Sequence, residues 1–225
     1  MSEVRWTKLS DVQSQPVKWL WEGRIPCGKV TLLDGEPGSG KSLLALDLAA
    51  RVSRGAAMPL HGGTPSGPAD VILFNDDDSL ADTVRPRLEA AGADLTRITS
   101  VDGPICNEDL AGLRPALIVV DPLSVYFCLG QDVRPRVTLK ALTTLARDTG
   151  AAVLAVQCMP KEEAWGHDVF DAARSVLFVS NIGHGKHRVA LTKSNLRGTG
   201  ESPPFVYNIE HAGPSVRIAN WADTL

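Results

Sequence analysis

Lys29-Val-Thr-Leu-Leu-Asp-Gly-Glu-Pro-Gly-Ser-Gly-Lys-Ser-Leu-Leu-Ala-Leu-Asp-Leu-Ala-Ala-Arg-Val-Ser-Arg54 is the stretch that decides the fold. Its opening, Lys29 to Asp34, carries a short apolar core, Val30 to Leu33, rich in β-formers and followed at once by a glycine-rich turn. That is the pattern of a buried strand feeding a loop. From Ser42 the apolar residues fall at 43, 44, 46, 48, 49 and 52 before Gly55 stops the run, which predicts a helix with a broad apolar stripe facing a sheet. Between strand and helix, Gly35-Glu36-Pro37-Gly38-Ser39-Gly40-Lys41-Ser42 satisfies every fixed position of the eight-residue phosphate-loop pattern.

The chemistry explains the spacing. Glycines let successive backbone N–H groups converge on phosphate oxygens, and the helix that follows adds its positive N-terminal end. Lys41 is expected to reach the β and γ phosphates, and the Ser42 hydroxyl to bind the magnesium that bridges them. The expected ligand is ATP with Mg2+, contacted from Gly35 to Leu43. A glycine-rich turn with an accidental Lys-Ser is the alternative, and both flanks argue against it.

Outward from the loop, strands alternate with helices. Asp70 to Phe74 is a short apolar strand, Ser79 to Ala91 a helix with a kink expected at Pro86, and Ile98 to Val101 a weak strand. Leu117 to Val120 is a fully apolar strand ending on Asp121, followed by a helix over Arg136 to Arg147 and a strand over Ala151 to Val156. Fully apolar strands separated by helices imply a mostly parallel α/β sheet covered on both faces. From Arg174 the rhythm changes to strands without helices, at Ser175 to Val179, Arg188 to Thr192 and Phe205 to Ile209, expected to extend the sheet as antiparallel hairpins. Residues 1–225 are read as a single domain: a packed N-terminal strap over 1–26, a nucleotide-binding core over 27–173 and C-terminal strands over 174–225.

In a parallel sheet, ligands collect at the C-terminal ends of the strands. Asp121 stands at such an end and is the expected second magnesium anchor, although a carboxylate before Pro122 could equally begin a turn. Asn75-Asp76-Asp77-Asp78 follows another strand directly. Three adjacent carboxylates cannot all be buried unpaired, so Asp78 or Ser79 is expected to cap the next helix, leaving Asp76 or Asp77 to face the nucleotide and polarise a water.

Composition sets the remaining bounds. The 225 residues are 44% hydrophobic and 22% charged, the balance of an ordinary globular chain. A formal net charge of −3 offers no global attraction to a polyanion, so any nucleic-acid contact needs a local basic lining. The four cysteines, Cys27, Cys106, Cys128 and Cys158, show no zinc-type spacing and fit a reducing cytoplasm. No apolar run is long enough to span a bilayer, and the first ten residues lack the apolar stretch of a signal peptide.

Trp19-Leu-Trp-Glu-Gly-Arg-Ile-Pro26, the phosphate loop, the acidic cluster leading into Leu80-Ala-Asp-Thr-Val-Arg-Pro-Arg-Leu88, Asp121-Pro-Leu123 and Ala172-Ala-Arg-Ser-Val176 together resemble the RecA-like P-loop ATPases of the plasmid RepA type, which are hexameric helicases. The resemblance runs from about Val17 to Ile209. It implies a RecA-like core assembled as a hexameric ring, ATP at the subunit interfaces, and single-stranded or double-stranded DNA as a partner. By position it places Asp77 where relatives carry a water-activating glutamate. It places Gln157-Cys158 where they carry a γ-phosphate sensor, Cys158 being the nominal match and Gln157 the neighbour in reach. Lys193, with Arg197 as a second candidate, corresponds to the cation such rings insert into the neighbouring site. The loop Cys158 to Val169 departs from the pattern: it is compact and sets Glu162, Glu163 and Asp168 against Lys161, poor electrostatics for a phosphate backbone. Arg134 and Arg136 are the basic candidates elsewhere. Two functions therefore stand: a ring ATPase acting on or near DNA, or a slow or inactive ATP-dependent switch that recruits a protein partner. A small-molecule kinase is a weaker third, since Arg85, Arg87 and Arg97 are not gathered on a lid.

Overall fold

The computed structural model describes residues 6–60, 63, 67–102, 110, 112–123, 135–157, 170–171, 173–196 and 202–223. Within these, β1 (Trp19–Trp21) and β2 (Ile25–Pro26) form a small antiparallel pair ahead of the main sheet. The chain then runs β3 (Val30–Gly35), α1 (Lys41–Arg54), β4 (Val71–Asn75), a π-helical turn (Leu80–Val84), α2 (Arg85–Ala90), β5 (Ile98–Val101) and β6 (Leu117–Asp121). After these come α3 (Pro135–Thr149), β7 (Ala152–Val156), β8 (Ser175–Gly183), β9 (Lys186–Ser194), β10 (Phe205–Ala212) and β11 (Ser215–Asp223).

Nine strands make one sheet in the order β11-β10-β9-β8-β3-β7-β6-β4-β5. All pairings from β8 to β5 are parallel, and β9, β10 and β11 extend the sheet antiparallel. This is the mostly parallel, doubly covered sheet with a C-terminal antiparallel extension that the apolar runs imply. Because side chains alternate along a strand, each run divides between two cores. Leu33, Val71, Leu73, Leu117, Val119, Leu154 and Val156 pack with α1 and Leu88 on one face, while Leu32, Ile72, Phe74, Ile118, Val120, Val153 and Ala155 pack with Leu139, Leu142, Leu145 and Ala146 of α3 on the other.

Three expectations are corrected. The strap does not pack along its length: Trp6 is 91% and Leu9 86% exposed, and packing begins only at Leu20 and Trp21. The helix after the acidic cluster runs unbroken from Leu80 to Ala90 but does not simply kink at Pro86: its first turn is π-helical and the α-helix begins at Arg85, so Pro86, which has no N–H to donate back to that turn, stands just past the junction. Ser79 holds the N-cap position of that π-helical turn without a side-chain capping bond, and Asp78 pairs instead with Arg87 at 3.1 Å. The sheet also gains β11, whose mixed burial gives no apolar run to read.

Candidate nucleotide site

The loop leaves β3 at Gly35 and enters α1 at Lys41. Gly35 lies opposite Val179 of β8, with φ +152°, and a Cβ there would collide with the Val179 carbonyl oxygen, so only glycine lets β3 turn away at this point. Gly40 sits at the N-cap of α1 with φ +90° and has no side chain with which to cap the helix start. The first-turn N–H groups of a 14-residue helix therefore open into the loop rather than onto a capping oxygen. Lys41 is buried, and its Nζ donates to the carbonyl oxygens of Gly35 at 2.8 Å and Glu36 at 2.7 Å. Ser39 Oγ lies 3.4 Å from the same ammonium.

Behind the loop stand two rings from the antiparallel extension. His187 Nδ1 lies 2.7 Å from the Ser39 carbonyl oxygen, and the Tyr207 hydroxyl donates to the Gly40 carbonyl oxygen at 3.2 Å. Nothing in the sequence singles them out, since they carry no motif and lie 148 and 167 residues from their partners.

β4, β6 and β7 end beside the loop. Asn75 and Asp121 stand opposite each other in the β4–β6 register, and the Gln157 N–H donates to the Leu33 carbonyl oxygen at 2.9 Å, which ties the end of β7 to the strand feeding the loop. Burial raises the Asp121 carboxyl above the usual carboxylate range, and the charges of Asp78 and Asp77 push the same way. A hydrogen bond from Ser42 and the charge of Lys41 pull it down. Ser42, Lys41, Asp121 and the acidic cluster thus share one electrostatic environment. Asp77 is exposed at its rim. Gln157 is buried rather than solvated, and its Oε1 has no hydrogen-bond partner among the described residues.

Lys193 lies on β9, where its Nζ donates to the carbonyl oxygens of Phe170 at 2.8 Å and Asp171 at 2.9 Å and sits 5.1 Å from the Phe170 ring centre. Arg197, Cys158, Arg134 and the acidic loop at 161–168 lie outside the described residues, as does the side chain of Arg136. Among the described residues no helix is long and apolar enough to cross a membrane.

The model of the AAA domain family matches residues 2–164, which takes in the loop, the acidic cluster and Asp121. The chain belongs to the AAA domain family. This AAA domain is also similar to the DNA repair protein RadA of two Mycobacterium tuberculosis strains, CDC 1551 / Oshkosh and H37Rv. Identity is 26% over 148 residues, which is 63% of the chain and 29% of each relative. The chain thus spans less than a third of the length of those curated relatives. Among solved structures, a KaiC-like protein of Pyrococcus horikoshii OT3 superposes with a TM-score of 0.62 at 18% identity, covering 91% of this chain and all of that one. Fold and family together make the AAA domain a RecA-like P-loop ATPase in class.

Proposed function

We propose that the chain is a magnesium-dependent ATPase of the RepA-like ring type, acting as one RecA-like unit in a hexamer on or near DNA. The observation that carries this reading is the meeting of Lys41, Ser42 and Asp121 at the C-terminal edge of the sheet, with the uncapped start of α1 opening on the same space. Gly35 to Leu43 cradle the phosphates through backbone N–H groups, and Lys41 exchanges its carbonyl partners for the β and γ oxygens.

A hydroxyl already bonded to a carboxylate fits magnesium, which takes one or two protein oxygens and completes its shell with phosphate and water. Bound there by Ser42 and Asp121, the metal supplies charge neutralisation for the transferring phosphate. Asp77, exposed at the rim, orients and deprotonates the attacking water, and Gln157, at the end of β7, senses the γ phosphate through its side-chain amide N–H. Lys193, or Arg197 in its place, supplies the cation that reaches a neighbouring subunit's site, where developing negative charge needs one. RadA, a DNA repair protein by name, supports the DNA context.

Steady-state ATP turnover with and without single-stranded DNA, alongside a mass measurement of the assembly, tests this reading. Magnesium-dependent turnover by an oligomer supports it, and a monomer without turnover overturns it. One second reading has its own observation. Asp77 is a methylene shorter than the glutamate of the resembled family, and Lys193 is held by its own chain, which favours a slow switch that recruits a protein partner. Tight ATP binding without turnover would select it.

A further inference from the structure

We propose that His187 and Tyr207 are positioning residues of the phosphate loop, holding its peptide planes from behind so that the backbone N–H groups face the phosphates. The inference rests on the nucleotide reading above and adds to it the antiparallel extension as the back wall of the site.

His187 on β9 and Tyr207 on β10 are direct partners in the strand register. Both are buried, with rings stacked at 5.3 Å between centres and 13° between planes. The Ser39 carbonyl can only accept, so the His187 Nδ1 facing it at 2.7 Å carries a proton and donates. The Tyr207 hydroxyl donates to the next carbonyl, that of Gly40, which also accepts from the Leu44 N–H at 3.0 Å. Burial, with the charge of Asp47 adding, raises the Tyr207 phenol above its ordinary value and keeps it a donor.

In a trans peptide the carbonyl and the N–H of the following residue point in opposite directions. Drawing the Ser39 and Gly40 carbonyls toward the two rings therefore turns the N–H groups of Gly40 and Lys41 away from them, into the loop. Glycine at 40 serves the same end, because a Cβ there would lie 2.9 Å from the Tyr207 hydroxyl and 3.3 Å from His187 Nδ1. Two consecutive planes of the loop are thus set by residues from strands outside the parallel core.

The test titrates a fluorescent ATP analogue with magnesium into the wild type, His187→Phe, His187→Asn and Tyr207→Phe, with thermal unfolding of each measured without nucleotide. Phenylalanine keeps the stack and removes the donor, while asparagine restores an N–H near the Nδ1 position. His187→Phe is expected to weaken binding about tenfold, equivalent to about 1.4 kcal/mol. Tyr207→Phe is expected to weaken it about threefold, and His187→Asn to stay within about twofold of wild type. Wild-type affinity in His187→Phe, or equal weakening in the phenylalanine and asparagine variants, overturns the inference. If His187→Phe does not fold, Tyr207→Phe decides, since a folded variant with unchanged affinity overturns it. Absence of binding by the wild type overturns the proposed function itself, an outcome distinct from the others.

Discussion

The Ser42 hydroxyl is hydrogen-bonded to the Asp121 carboxyl, which joins the first turn of α1 to the end of β6 with β7 lying between β6 and the loop-bearing strand. The bond stabilises the carboxylate, yet burial first, and then Asp78 and Asp77, leave the group harder to ionise than a free aspartate. The site is set up to receive a cation at the expense of the empty protein.

That imbalance fixes a sign. With its folded pKa raised above the unfolded value, Asp121 contributes stability that is fully present below the unfolded pKa and is lost as pH rises through the folded one. Asp121→Asn is expected to stabilise the nucleotide-free chain at neutral pH while abolishing magnesium-dependent ATP binding. Thermal unfolding across the range from acid to neutral pH checks it: the wild type should lose more stability over that rise than the variant.

Lys41→Ala is expected to weaken ATP binding by about 2–3 kcal/mol, since it removes charge-assisted hydrogen bonds to phosphate. Calorimetric titration reads the loss directly. Unchanged affinity would contradict the site assignment.

Asp77 separates binding from chemistry. Being exposed, it can be changed to Asn with little effect on nucleotide affinity, whereas turnover is expected to fall about a hundredfold if it activates water. Asp77→Glu restores the missing methylene and is expected to match or exceed wild-type turnover. Steady-state kinetics on both variants, with affinity measured in parallel, distinguishes an attacking-water role from a solvated carboxylate.

Trp21 is wholly buried, with Phe205 at 5.3 Å and Trp221 at 6.3 Å between ring centres. Trp21→Ala is expected to cost about 3–5 kcal/mol in denaturant unfolding through the cavity it leaves.

The parallel core was legible because its strands are covered on both faces, so Val71 to Phe74 and Leu117 to Val120 are unbroken, short, β-branched-rich apolar runs. The loop was legible because its chemistry is local: eight consecutive residues carry it. The failures share the opposite property. β11 is partly exposed along most of its length, and the β1–β2 pair is too short to show a period. The π-helical turn replaces a capped helix start because the Ser79 side chain, a good capping group, engages Asp82 and not a backbone N–H. His187 and Tyr207 could not be found by pattern at all, because their contacts to the loop exist only once the sheet has closed.

β3 sits between β7 and β8, whose residues follow it by more than a hundred positions. During synthesis, therefore, the loop sequence emerges long before either strand that flanks it, and before the Val179 carbonyl and the two rings that bend its backbone. A nascent chain halted ahead of β8 has the whole motif and β7 beside it, but neither the Val179 carbonyl nor the two rings. Closure of the middle of the sheet waits for distant segments, and loop-closure entropy makes that wait slow. The loop's surroundings are thus completed late, when the far end of the sheet comes into place.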